Sequence, residues 1–108
     1  MNDREWVEKV QSNANADPAS IEGIKGTFTF DFTKDGGEVW HMIFPGDGTL
    51  QTGEGALEDA LCKISSKWAV MLKILNGELN GQVAIMSGKM KFKGDMKTAM
   101  QLKKVFLL

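Results

Sequence analysis

The chain has 108 residues, 43% hydrophobic and 25% charged, with a net charge of −1. That balance fits one globular domain, residues 1–108, with its own core. It excludes intrinsic disorder, and no apolar run approaches the about 18 to 20 residues of a bilayer span.

The elements follow in chain order. Residues 2–13 read as a helix, with Asn2 or Asp3 as its cap and Trp6, Val7 and Val10 on one face; Asn13 to Pro18 ends it. From Gly26 to Thr33 the alternation is strict, so Phe28, Phe30 and Phe32 share one face of a strand. Lys34-Asp35-Gly36-Gly37 reads as a hairpin turn, its glycines supplying positive φ. The return strand, 38–44, is apolar on both faces, with Val39 and Ile43 on one and Trp40, Met42 and Phe44 on the other. Cover on both sides is therefore expected. A turn at Pro45-Gly46-Asp47-Gly48 leads to a short strand over 49–53, and another strand centres on 60–64. Ser65 or Ser66 is placed to cap a helix over 67–76. In it Trp68, Met71, Leu72 and Leu75 follow helical spacing, Ala69, Val70 and Ile74 make it apolar nearly all round, and Gly77 stops it. A short helix over 81–87 ends at Gly88. The strand 89–93 sets Lys89, Lys91 and Lys93 against Met90 and Phe92, and Asp95 caps a last helix, 95–104, carrying Met96, Ala99 and Met100. The order defines an α+β domain whose sheet is largely antiparallel and covered by helices.

Charge is distributed unevenly. Residues 1–60 carry a net −8 and residues 61–108 a net +7. Acidic and basic strands paired in one sheet would produce this, and so would a basic face for phosphate head groups, coenzyme A or an anionic membrane. Nucleic acid is not expected, because the excess is not arginine-rich and has no aromatic ladder interleaved with it.

Nothing in the spacing points to catalysis. The only histidine, His41, lies in an apolar strand, and no nucleophile–base spacing links it to Cys62. One His and one Cys supply no metal-ligand motif, the carboxylates form no acid–base couple, and no phosphate-binding glycine loop is present. With one cysteine there is no internal disulfide; with a polar N-terminus and no peroxisomal ending, a cytoplasmic location is expected. The distinctive feature is a surplus of soft apolar side chains. There are seven methionines, most in the second half, which suit either a plain core or a cavity that adapts to a tail.

The stretch Asn76-Gly77-Glu78-Leu79-Asn80, Ala84-Ile85-Met86-Ser87-Gly88, Lys89-Met90-Lys91-Phe92-Lys93-Gly94-Asp95-Met96 and Ala99-Met100-Gln101-Leu102 resembles the C-terminal signature of the sterol carrier protein 2 family. The strand Ala60-Leu61-Cys62-Lys63-Ile64 and the helix from Lys67 resemble that family too, so the specific part of the likeness spans 60–102. The resemblance implies a five-stranded sheet with helices enclosing a hydrophobic tunnel. It also implies a lipid or fatty acyl ligand, no cofactor, no metal and no catalytic residue. By matched elements the lining is expected from Trp68, Met71, Leu72, Leu75, Met86, Phe92, Met96 and Met100, completed by Phe30, Trp40 and Met42. Lys89, Lys91 and Lys93 are expected to meet a head group or membrane. Asn80-Gly81 stands where the family commonly has Asn-Pro. The short C-terminus points to a stand-alone, prokaryotic member with a fatty acid or acyl thioester rather than sterol as ligand. Phe106, Leu107 and Leu108 offer apolar surface through which a homodimer could form. The alternative role is an accessory module that presents a lipid intermediate to a partner enzyme.

Overall fold

At the centre stands β1 (Lys25–Asp31), flanked by β2 (Val39–Pro45) on one side and β4 (Cys62–Ser66) on the other. The computed structural model describes residues 1–102; in it β3 (Gln51–Glu54) and β5 (Met90–Gly94) form the sheet edges, giving the order β3-β2-β1-β4-β5. Three pairings are antiparallel, as the sequence order suggests, and one is not: β1 and β4 run parallel. A parallel neighbour needs a crossover. Residues 55–61 supply it, held where the Leu57 amide donates to Thr29 Oγ1 (3.2 Å) and the Leu61 amide to Thr27 Oγ1 (2.9 Å).

The register sorts side chains onto two faces. Phe28 and Phe30 pair with Met42 and Trp40 and with Cys62 and Ile64, and these stand on one buried face. Thr29, His41 and Lys63 stand on the other. The cover expected on both sides of β2 is partial on this second face, where Val39, His41 and Ile43 are half-buried. All the helices back the first face. Helix α1 (Asp3–Ala16) opens with a capping box between Asn2 and Glu5 and buries Trp6, Val7, Val10 and Ala14. It outruns the helix predicted over 2–13, because the Asp17 amide still bonds the Asn13 carbonyl before Pro18 starts a short 3₁₀ turn. Trp6 meets Phe30 and Phe32 edge-on at 5.3 and 6.0 Å between ring centres, and Trp68 lies 5.2 Å from Phe32 and 5.8 Å from Trp6.

The remaining helices, α2 (Trp68–Leu75), α3 (Gly81–Met86) and α4 (Met96–Met100), cover the β4–β5 half. Ser65 and Ser66 belong to β4 and do not cap α2. Asp35, in the 3₁₀ turn Thr33–Asp35, caps it from a distance: its carboxylate accepts from the amides of Trp68 (2.7 Å) and Ala69 (3.1 Å). The strand predicted over 49–53 begins at Gln51, since Thr49 is held in a turn by the Asp47 carboxylate. Asp95 caps α4 as expected. Residues 103 and 104 of the predicted last helix lie outside the described residues.

One buried carboxylate locks α1 to the sheet. Asp3 is 8% exposed, and a single oxygen, Oδ2, accepts from the Trp40 indole and from the Glu38 amide, both at 2.8 Å. Burial pushes its carboxyl pKa up, but these hydrogen bonds together hold it below the ordinary value. Arg4 adds a lid, its guanidinium 4.9 Å from the Trp40 ring centre and paired with Glu38 and Glu54. Asp3→Asn is expected to lower stability by about 1–3 kcal/mol at neutral pH. A depressed folded pKa stabilises above the unfolded value, about 4, and that stabilisation is lost as pH falls through the folded pKa. The gap between wild type and variant, read from urea unfolding midpoints, should therefore narrow below about pH 4. A gap that stays constant to pH 2.5 would refute this role.

Candidate functional site

The void that stands out as an internal site lies between the β4–β5 half of the sheet and the three short helices. Its volume is about 130 Å³ and one side is open to solvent. Ile64, Met90 and Phe92 form the sheet wall, all on the face that also carries Phe28 and Phe30. Helix α2 contributes Met71 and Ile74, α3 contributes Ile85, and α4 contributes Met96, Ala99 and Met100, with Leu102 beyond it. Polar groups occur only where Asn80 and Gln82 line the start of α3. Asn80 Oδ1 is already engaged as the cap of that helix, accepting from the amides of Gln82 and Val83. The walls therefore recognise apolar volume and carry no charge.

Of the lining expected from the sequence, the structure brings together Met71, Phe92, Met96 and Met100. The others stand elsewhere. Phe30, Trp40 and Met42 are fully packed on the α1 side, where Trp6 fills the space above β1 and β2. Trp68 points to the same side, wedged between Trp6 and Phe32 with its indole donating to the Met1 carbonyl (2.9 Å). Leu72 and Leu75 are half-buried on other flanks of α2, and Met86 projects from α3, 87% exposed. Ile64, Ile74, Ile85, Met90, Ala99 and Leu102 enter the lining instead. Strand parity carried a signal for Met90, which alternates in step with Phe92, and the pairing of Ile64 with Phe92 completes that wall.

The lysine row divides. Lys91 and Lys93 stand on the opposite face of β5 from the cavity, beside Lys63, in a broad open depression with Thr29, Asp31 and Val39. Lys89 belongs to a separate cleft beside α2. Phe106, Leu107 and Leu108, the expected dimer surface, lie outside the described residues.

The reactive side chains do not assemble. Cys62 faces the core with Phe28, while His41 stands on the other face of the sheet and its Nδ1 lies 3.0 Å from the Gly55 carbonyl. Burial pushes the Cys62 thiol pKa up, against a partly offsetting contact in which Sγ donates to the Asp95 carbonyl (3.3 Å). Among the described residues no cluster of His, Cys, Asp or Glu could hold a metal, and no helix is long and apolar enough to cross a membrane.

Fold and site define a class: a small α+β domain whose sheet is helix-backed on one face and hollow, with apolar walls, on one half. Comparison with known proteins gives that class a family. The chain belongs to the SCP-2 sterol transfer family, whose model matches residues 7–107. It is 29% identical over 93 residues to Hydroxysteroid dehydrogenase-like protein 2 of Danio rerio, covering 84% of this chain and 22% of that protein. It is 34% identical over 74 residues to the Oleate-induced peroxisomal protein POX18 of Candida maltosa, covering 68% of this chain and 58% of that protein. The chain thus spans less than two thirds of either relative. Its fold matches the solution structure of palmitated SCP2L2 from Aedes aegypti with a TM-score of 0.75 at 22% identity, covering 100% of this chain and 96% of the other.

The remote cap on α2 is directly testable. Asp35→Ala removes the acceptor for two helix amides and is expected to cost about 0.5–2 kcal/mol. Hydrogen exchange at the Trp68 and Ala69 amides should accelerate more than exchange within β1; equal acceleration would mean general destabilisation.

Proposed function

We propose that residues 1–108 act as a non-enzymatic lipid carrier whose cavity between β4–β5 and the helices α2–α4 encloses the apolar tail of a fatty acid, fatty acyl-CoA or related lipid. The observation that carries this reading is the lining itself, built from thioethers, isoleucines and one aromatic ring, with polar groups confined to the start of α3. Membership of the SCP-2 sterol transfer family supports it, as does the fold shared with a palmitated relative. Each buried CH₂ contributes about 0.8 kcal/mol, so a tail binds without a strong polar anchor. The separation of His41 from Cys62 by the sheet supports a non-catalytic role.

The cavity's 130 Å³ falls short of the about 300 Å³ at which sites for small ligands usually begin. A long tail therefore enters by parting the short helices α3 and α4 from the sheet. Met96 and Met100 sit at that mouth, 41% and 47% exposed, and unbranched thioethers can swing aside at low cost.

Organic extraction of the native protein followed by mass spectrometry should release a lipid, and a fluorescent fatty acid should bind saturably. Ala99→Trp fills the cavity and should abolish that binding while the protein still unfolds cooperatively. Neither a bound lipid nor saturable uptake would sink the proposal. His41→Ala and Cys62→Ala should leave uptake within about twofold of wild type, with the cysteine change costing about 1–2 kcal/mol of stability from lost core volume. Loss of uptake in a well-folded form of either would argue for a chemical role.

Lys91 and Lys93, on the outer face of β5, are proposed to meet anionic membrane while cargo exchanges. Lys91→Glu/Lys93→Glu should slow transfer between anionic vesicles, with the difference shrinking at about 0.5 M salt. Unchanged transfer would leave these lysines as a solvated face.

A further inference from the structure

On the flank of α2 next to the cavity side lies a cleft of about 370 Å³ that the tail-binding reading does not use. Four lysines converge on it from separate places in the fold. Lys34 comes from the 3₁₀ turn after β1, Lys67 from the residue preceding α2, Lys73 from the last turn of α2, and Lys89 from the residue preceding β5. Val70, Leu79 and Gly88 complete the lining, and no carboxylate is among it. Two acids adjoin lining residues in sequence: Asp35, both of whose oxygens accept from the α2 amides, and Glu78, which is exposed and whose amide donates to the Lys73 carbonyl. The described ion pairs all lie on Arg4, with Glu38 and Glu54. Like charges gathered around one hollow repel, and none of the four lysines is in a described ion pair.

We propose that this cleft binds a phosphate group carrying two negative charges. Ammonium groups are compact, strongly hydrated donors suited to phosphate oxygens approached from several sides, and four of them around one hollow match a multivalent anion better than a single carboxylate. Val70 and Leu79 give the cleft an apolar border that suits the organic portion of a phosphate ester. The cleft is separated from the tail cavity by α2, which turns Val70 and Lys73 to the one and Met71 and Ile74 to the other. The cleft is therefore a site distinct from the tail cavity. The same chemistry occurs in a soluble phosphate ester and in the phosphomonoester head group of a membrane lipid.

The test has two arms. In the first, ¹⁵N-labelled protein is titrated with inorganic pyrophosphate in low-salt buffer. Saturable shifts are expected at Lys34, Lys67, Lys73 and Lys89, and Lys73→Glu/Lys89→Glu should weaken binding by about tenfold or more. Lys9→Glu, the same kind of charge change on α1, should leave it unchanged. In the second arm, the protein is floated with phosphatidylcholine vesicles carrying or lacking one-tenth phosphatidate, with pyrophosphate as competitor. Pyrophosphate binding without vesicle capture supports a soluble phosphate ester. Capture that needs phosphatidate and is reversed by pyrophosphate supports the lipid head group. Absence of saturable binding in both arms overturns the proposal, as does equal weakening by Lys9→Glu, which would indicate overall charge alone. If Lys73→Glu/Lys89→Glu does not fold, Lys34→Ala/Lys89→Ala serves in its place with the same expected loss.

Discussion

Phe28 and Phe30 stand side by side on one face of the sheet, between two different environments. On one side of β1 they pair with Met42 and Trp40, and on the other, through the parallel partner, with Cys62 and Ile64. The helical layer covers this face unevenly. Helix α1 brings Trp6 down onto Phe30 and Phe32, and Trp40, Trp68 and Phe44 close around the same half. Over β4 and β5 the covering elements are short and bring isoleucines, methionines and an alanine. Bulky rings bury one another on their half, whereas the slimmer chains leave a hollow on the other. The position of the cavity thus follows from where the aromatic volume is placed.

Two carboxylates hold this uneven layer in place. Asp3 fixes α1 by accepting from both the Trp40 indole and the Glu38 amide, and Asp35 fixes the start of α2 by accepting from two of its amides. Each joins segments more than thirty residues apart in sequence. Charge-assisted bonds of this kind are directional, which apolar packing is not. They orient α1 and α2 over the sheet, and the rest of the layer packs to suit. Gly94 adds a steric condition at the far edge. Its φ of +123° and its approach to the Leu61 carbonyl leave no room for a Cβ where β5 gives way to α4.

Features governed by local periodicity were legible in the sequence. Strand parity placed Phe28, Phe30, Trp40, Met42 and Phe44 on the core face, and Met90 and Phe92 opposite the lysines. The cap at Asp95, and Asn2 as one of two candidates with Asp3, could be read from neighbours a few residues away. Features that depend on distant partners were not legible. The parallel pairing of β1 with β4 has no local marker, and neither does the cap that Asp35 lends to α2. The lining was legible in part for a related reason. Helix α2 is apolar nearly all round, so its periodicity singles out no inward flank. Trp68 and Met71 share a face by spacing, yet Trp68 turns to the aromatic cluster while Met71 reaches the cavity. A hydrophobic stripe identifies a buried helix; which of its residues meet a hollow depends on what the neighbouring elements have already filled.

The charge of the two sequence halves divides along the same line as the packing. The acidic residues 1–60 build α1 and β1–β3, while residues 61–102, with more bases than acids, build β4, β5 and the helices around the hollow. Sheet order segregates the two, with β3, β2 and β1 on one side and β4 and β5 on the other, meeting at the β1–β4 pair. The molecule is therefore electrically polarised along the direction in which its packing loosens. Such a field orients an approaching anionic surface or ligand before contact, and falls off over about 10 Å at 0.1 M salt. The aromatic cluster and the excess of negative charge share one half. Slender side chains, short helices and an excess of positive charge share the other, so the hollow and the basic residues lie in the same half.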